Sequence, residues 1–99
     1  MTEPTFQQFE ANARAQGYDQ VVELNRPADT LLDTHSHPFA VSARIIEGSF
    51  SLTVGEHTRH LQAGDTFELD ADVPHVERYG AQGARYWAAR RTRPEASPA

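Results

Sequence analysis

The chain contains no cysteine. That removes thiolate nucleophiles, iron–sulfur clusters, thiolate-bound zinc and disulfides. Lysine is also missing, because all nine basic residues are arginine, so Schiff-base chemistry and covalently held pyridoxal phosphate are excluded. No apolar run approaches the length of a membrane span, and the opening Met1-Thr2-Glu3-Pro4 lacks the basic and apolar regions of a signal peptide. A soluble, cytoplasmic location is therefore expected. The net charge of −5 argues against a nucleic-acid or acidic-membrane partner. With 99 residues there is room for one domain and one core.

What the chain does have is a set of histidines in suggestive places. His35 and His37 stand in Thr34-His35-Ser36-His37-Pro38, and His75 stands in Val73-Pro74-His75-Val76-Glu77. On a β-strand, side chains two apart share a face, so His35 and His37 can converge on one point. A third imidazole from a distant strand would complete a three-nitrogen site with open positions. Neutral imidazole is a common ligand for divalent transition metals, and iron, manganese, nickel, copper and zinc are all compatible with it. The bland alternative is a pair of polar residues on an exposed loop before Pro38.

The surrounding pattern is mostly β. Residues 1–17 read as an N-terminal helical segment, with the helix over Pro4 to Gln16, capped by Thr2 or Thr5 and stopped by Gly17. Residues 18–90 read as a barrel and residues 91–99 as a flexible tail. Strands are expected at Val21 to Leu24, from Leu31 into the histidine pair, over Val41 to Ile46, over Ser49 to Val54, over His57 to Leu61 and around Phe67 and Leu69. Two more are expected, from His75 and over Ala84 to Arg90. In Ser49 to Val54, Phe50, Leu52 and Val54 alternate with polar residues, the period of a half-buried strand. Turns are expected at Gly48, Gly55, Gly64, Gly80 and Gly83. Many short strands with close turns indicate an all-β sandwich or barrel.

These residues resemble the small single-domain cupins, a jelly-roll β-barrel family marked by two motifs. His35-Ser36-His37 with Gly48 matches the first motif, except that Val41 stands in place of its Glu and Asp29 in place of its leading Gly. Gly64, Asp65 and His75 match the second in spacing, with Asp70 and Asp72 replacing the turn Pro and Gly, and Tyr79 replacing an Asn. The resemblance covers Ala28 to Tyr79. It implies an all-β cupin jelly-roll barrel with a short N-terminal helix, and His35, His37 and His75 as ligands of a divalent transition metal.

Without the Glu at position 41, three neutral imidazoles leave the cation's charge uncompensated, which favours hydroxide or an anionic chelating ligand. Glu77, two residues after His75, is the candidate catalytic residue. It can ligate the metal, orient an imidazole, move protons, or turn to solvent and pair with Arg44 or Arg78. The strand spacing favours an outer position over direct ligation. Asp70 and Asp72 read as turn formers rather than as an acid pair. His57 and His60 read as solvated. Arg85, Arg90, Arg91 and Arg93 read as a solvated edge and tail.

Two function classes follow from the resemblance. One is a metal-dependent enzyme of the oxygenase or isomerase kind, acting on a small anionic or oxygen-rich molecule. The other is a non-catalytic module that binds or senses such a molecule, and fold cannot choose between them. A metal-free structural barrel requires all three histidines to be idle. Phe6, Phe9, Val21, Val22, Ile46 and Trp87 exceed what one small barrel's inner face can hold, so a homodimer is expected.

Overall fold

The computed structural model describes residues 4–92. Helix α1 (Phe6–Ala15) is followed by strands β1 (Gln20–Arg26), β2 (Leu31–His35), β3 (Ala40–Val54), β4 (His57–Gln62), β5 (Thr66–Leu69) and β6 (His75–Arg91). All strand pairs are antiparallel. This is an all-β arrangement, as the strand pattern indicates, and the jelly roll that the family resemblance implies.

Two long strands organise everything. The first half of β3 pairs with β5, and its second half pairs with β4. Likewise the start of β6 pairs with β2, and its end pairs with β1. Because β3 and β6 also pair with each other along both halves, they run through two facing layers, ordered β1-β6-β3-β5 and β2-β6-β3-β4. Between the layers lies the core of Val41, Ala43, Ile45, Phe50, Leu52, Leu61, Phe67, Tyr79 and Tyr86.

Here the structure corrects the turns expected at Gly48, Gly80 and Gly83. Gly48 lies inside β3, and Gly80 and Gly83 lie inside β6, so four expected strands are two. The ladder between them shifts register at Ile45/Glu47 and at Gly48/Phe50, and the strands bend there from one layer into the other. Glycine is needed because backbones nearly touch: a Cβ on Gly48 would lie 2.0 Å from the Gly83 carbonyl oxygen.

The helix forms where its capping signal stands. Thr5 accepts a hydrogen bond from the Gln8 backbone N–H, while the Gln8 side chain accepts from the Thr5 N–H. Gly17, at φ +96°, ends it. We expect Thr5→Ala to cost about 1 kcal/mol of stability in urea denaturation, the usual worth of such a cap.

Helix α1 also accounts for most of the apolar side chains that suggested a second copy of the chain. Phe6 and Phe9 pack on Trp87 with ring centroids 5.6 and 5.7 Å apart. Phe9 and Val21 join Ala13, Tyr18 and Ala89 in a satellite core outside the barrel, while Val22 packs against the main core. The far end of β6 is thus buried on both faces. Ile46 stays half-buried and Leu31 is exposed. Most of the ground for expecting a dimer is therefore taken up within the chain.

At the C-terminal end, β6 runs on through Arg91, and the Thr92 backbone N–H donates to Asp19 at 2.7 Å. Those two residues of the expected tail are tied to the barrel. Residues 93–99 and Thr2 lie outside the described residues.

Candidate metal centre

Antiparallel pairing of β2 with β6 sets His35 directly opposite His75, after an irregularity that follows Leu32. Their ring centroids are 4.2 Å apart, and that of His37, on the loop beyond β2, is 5.0 Å from that of His75. The loop carrying His37 is pinned from the acidic turn, where the Asp72 backbone N–H donates to the His37 carbonyl at 2.8 Å. Asp72 has φ +65°, a conformation Asp tolerates, so Asp70 to Pro74 is a structural turn as expected. Asp29, in the position of the motif's leading Gly, takes φ +59° in the same way.

One ring nitrogen of each histidine lies within 4.8 Å of those of the other two. The hydrogen bonds say which nitrogens are free. His35 Nδ1 meets the Asp33 carbonyl at 2.7 Å, His37 Nδ1 the Phe39 carbonyl at 3.2 Å, and His75 Nδ1 the Val73 carbonyl at 2.9 Å. A carbonyl can only accept, so each Nδ1 carries the hydrogen and each neutral ring keeps its lone pair on Nε2. His37 is held below the ordinary histidine value, first by burial and then by His75 and His35 beside it, against the opposing pull of the Phe39 carbonyl.

Glu77 faces inward and is 6 % exposed. It pairs with neither Arg44 nor Arg78. Its Oε2 lies 3.3 Å from His35 Nε2 and 3.5 Å from His75 Nε2. Its Oε1 accepts a short hydrogen bond from the Tyr79 hydroxyl. The Tyr79 and Tyr86 hydroxyl oxygens are 3.2 Å apart, and since the single hydrogen of Tyr79 serves Glu77, Tyr86 is the donor between them. Burial, then Tyr86 and Glu77, push the Tyr79 phenol far above its usual value, so it stays a neutral donor. Beyond Tyr86 lies the guanidinium of Arg26, facing the hydroxyls of both tyrosines.

The donor set fits a divalent ion. Nε2 lone pairs and a carboxylate oxygen converge with no hydrogen between them, an arrangement of acceptors that a cation relieves. Ligands at about 2.0–2.2 Å around one tetrahedral ion stand roughly 3.3–3.5 Å apart, the separation seen between Glu77 and two imidazoles. The widest imidazole pair, up to 4.8 Å apart, would draw together by roughly 1.3–1.5 Å to share such a tetrahedral ion.

The cavity above these groups measures about 70 Å³ and is walled by Leu24, Phe39, Val41, Phe67, Leu69 and Ala88, with Arg26, Tyr86 and Arg90 also on its surface. Arg90 lies over the Phe39 ring, 5.0 Å from its centroid, and so is not the solvated edge residue expected from sequence. Arg91 lies over Tyr18, and Arg85 pairs with Glu23 and Glu47 on the barrel's outside. His57 and His60 are exposed as expected, with His60 bonded to Ser51. Sequence reasoning missed Arg26, Arg90 and Tyr86. Tyr79 stands out along the chain as the residue in place of the second motif's Asn and as sharing the strand face of Glu77.

An antiparallel jelly-roll barrel with three histidines gathered inside defines a class of small β-barrel proteins. The family model described as "Cupin domain" matches residues 23–81, more than half of the chain. The protein is a member of the cupin family. The barrel is similar to KdgF from a Halomonas species, with a TM-score of 0.66 at 16 % identity, covering 76 % of this chain and 69 % of that one. A cupin protein from Bacteroides fragilis matches with a TM-score of 0.60 at 20 % identity, covering 71 % of this chain and 62 % of that one. Oxalate decarboxylase from Bacillus subtilis, which has Mn(II) centres, matches with a TM-score of 0.64 at 21 % identity. That match covers 71 % of this chain and 20 % of the decarboxylase. No functionally curated protein matches. Among the described residues, no helix is long and apolar enough to cross a membrane.

Proposed function

We propose that this cupin binds one divalent transition-metal ion through His35, His37, His75 and Glu77, and that it binds or converts a small anionic or oxygen-rich molecule there. The observation that carries the reading is the convergence of Nε2 atoms, their Nδ1 hydrogens committed to carbonyls, on the Oε2 of a buried carboxylate. An ion so held supplies Lewis acidity and acidifies a bound water.

The chain's own residues do the rest. Val41 puts an apolar wall where the motif would place its carboxylate, and Glu77 provides that charge from the opposite strand. Tyr86 and Tyr79 donate in sequence toward Glu77 Oε1, which leaves Oε2 facing the imidazoles. From there Oε2 can accept a proton from a bound molecule, one of the roles open to Glu77 from sequence. Strand spacing favoured an outer position for Glu77; we read it as a direct ligand because its Oε2 lies 3.3 and 3.5 Å from the Nε2 atoms of His35 and His75.

Elemental analysis of protein purified without an affinity tag tests the reading, with about one transition-metal ion per chain expected; no metal, natively or after titration, overturns it. Glu77→Gln should weaken metal affinity at least as much as loss of an outer partner does, about 10–100-fold, and should alter the visible spectrum of a cobalt(II)-loaded sample. An unchanged spectrum would place Glu77 outside the coordination sphere. Oxygen uptake or turnover of a bound molecule would mark an enzyme, and tight binding without turnover a sensing module.

A further inference from the structure

Arg26 poses a question that the metal ligands leave unanswered. It ends β1, lines the same cavity as His35, His37, His75 and Glu77, and its buried Nε has no hydrogen-bond partner. Two other arginines have carboxylates, Arg14 pairing with Glu10 and Arg85 with Glu23 and Glu47. Among the described residues no carboxylate pairs with Arg26. Among the described residues its hydrogen bonds go to the hydroxyl oxygens of Tyr86 and Tyr79, neutral acceptors whose own hydrogens run on toward Glu77, so they leave its charge without a carboxylate. A guanidinium is the best side chain for gripping a carboxylate through paired N–H donors. Arg44 also has a buried, unpartnered Nε, but it is not on the cavity's surface.

The charges point the same way. Arg26 and Arg90 face the cavity against one carboxylate, Glu77, so with neutral imidazoles it carries an excess positive charge, and a divalent ion adds to it. Cationic ligands are disfavoured there, and a neutral ligand would leave the charge of Arg26 without an anion to pair with. The volume, about 70 Å³, suits a compact anionic group.

We propose that Arg26 anchors one carboxylate of a small, short-chain carboxylate ligand whose remaining oxygen donors reach the His35–His37–His75 centre. The ligand spans the cavity from guanidinium to metal site, between the apolar walls of Leu24, Val41 and Phe67. This rests on the metal-binding reading above for the second contact, while the anchor is a property of Arg26 itself.

The test is calorimetric titration of malonate into zinc-loaded and metal-free protein, with malonamide as the uncharged control. Malonate should bind the loaded protein and malonamide should not. Arg26→Gln should weaken malonate binding at least tenfold while leaving zinc affinity and the thermal midpoint close to wild type. Arg26→Lys should recover only part of the loss, because a point charge lacks the paired donors. Equal malonate affinity in wild type and Arg26→Gln, or no malonate binding by wild type, overturns the anchor. Zinc binding without malonate binding would defeat this inference and leave the metal site standing. If zinc does not bind, the metal reading falls. The anchor then stands on malonate binding by metal-free protein that Arg26→Gln abolishes, and fails without it.

Discussion

Replacing His75 with alanine is expected to empty the metal centre while the barrel survives. His75 is 2 % exposed, sits opposite His35 across the β2–β6 ladder, and has its Nδ1 held by the Val73 carbonyl. Its Nε2 is therefore aimed in advance of an ion's arrival, and its loss removes an oriented ligand. We expect affinity to fall well beyond the 10–100-fold typical of losing an outer-sphere partner, so that dialysis leaves less than about a tenth of wild-type metal content. The barrel packs through Ile45, Phe50, Leu52, Phe67 and Tyr86, none of which depends on the imidazole, so the β signal in circular dichroism should persist. Unchanged metal stoichiometry in His75→Ala would remove this residue from the ligand set.

The second large effect is on stability. Gly48 has φ +79°, and a Cβ there would lie 2.0 Å from the Gly83 carbonyl oxygen and 2.9 Å from Ala84 Cα. Gly48→Ala must therefore take on left-handed backbone strain of about 1–2 kcal/mol and an overpacking cost of about 1–3 kcal/mol. We expect a total of about 2–5 kcal/mol, a large share of the roughly 5–15 kcal/mol typical of a folded domain. Gly55 is the control: it has φ +59° but nothing within 4 Å of its Cβ direction, so Gly55→Ala should show only the backbone cost. Urea denaturation of the two variants separates the contributions. Equal midpoints for Gly48→Ala and Gly55→Ala would mean that the β3–β6 crossing yields easily to an added methyl group.

Both effects trace back to features whose meaning differed between sequence and fold. Alternation in Ser49 to Val54 was enough to identify a half-buried strand, because period two is a local property of the pleat. The same holds for the helix start, where Thr5 and Gln8 form their capping box within one turn. Spacing between His35, His37 and His75 was legible as well, since two motifs at that separation resemble a family whose barrel brings them together. The absence of cysteine and lysine limits the chemistry by composition alone, whatever the fold.

Only the tertiary structure decided how the glycines act, which way Glu77 turns and what surrounds it. A glycine that marks a turn and one that lets two backbones cross look alike along the chain. Gly48 and Gly83 differ from Gly55 only through strands far away in sequence. Arg26 and Arg90 sit in ordinary strand sequence, and their arrival at the cavity depends on β1 and β3 each pairing with the end of β6. Trp87 and Phe6 looked like surplus apolar surface, because nothing local says that α1 folds back over β6. Local periodicity and capping act over a few residues and are written in the chain. Convergence of His75, Glu77, Tyr86 and Arg26 on one cavity is set by long-range register, which no single stretch of sequence contains.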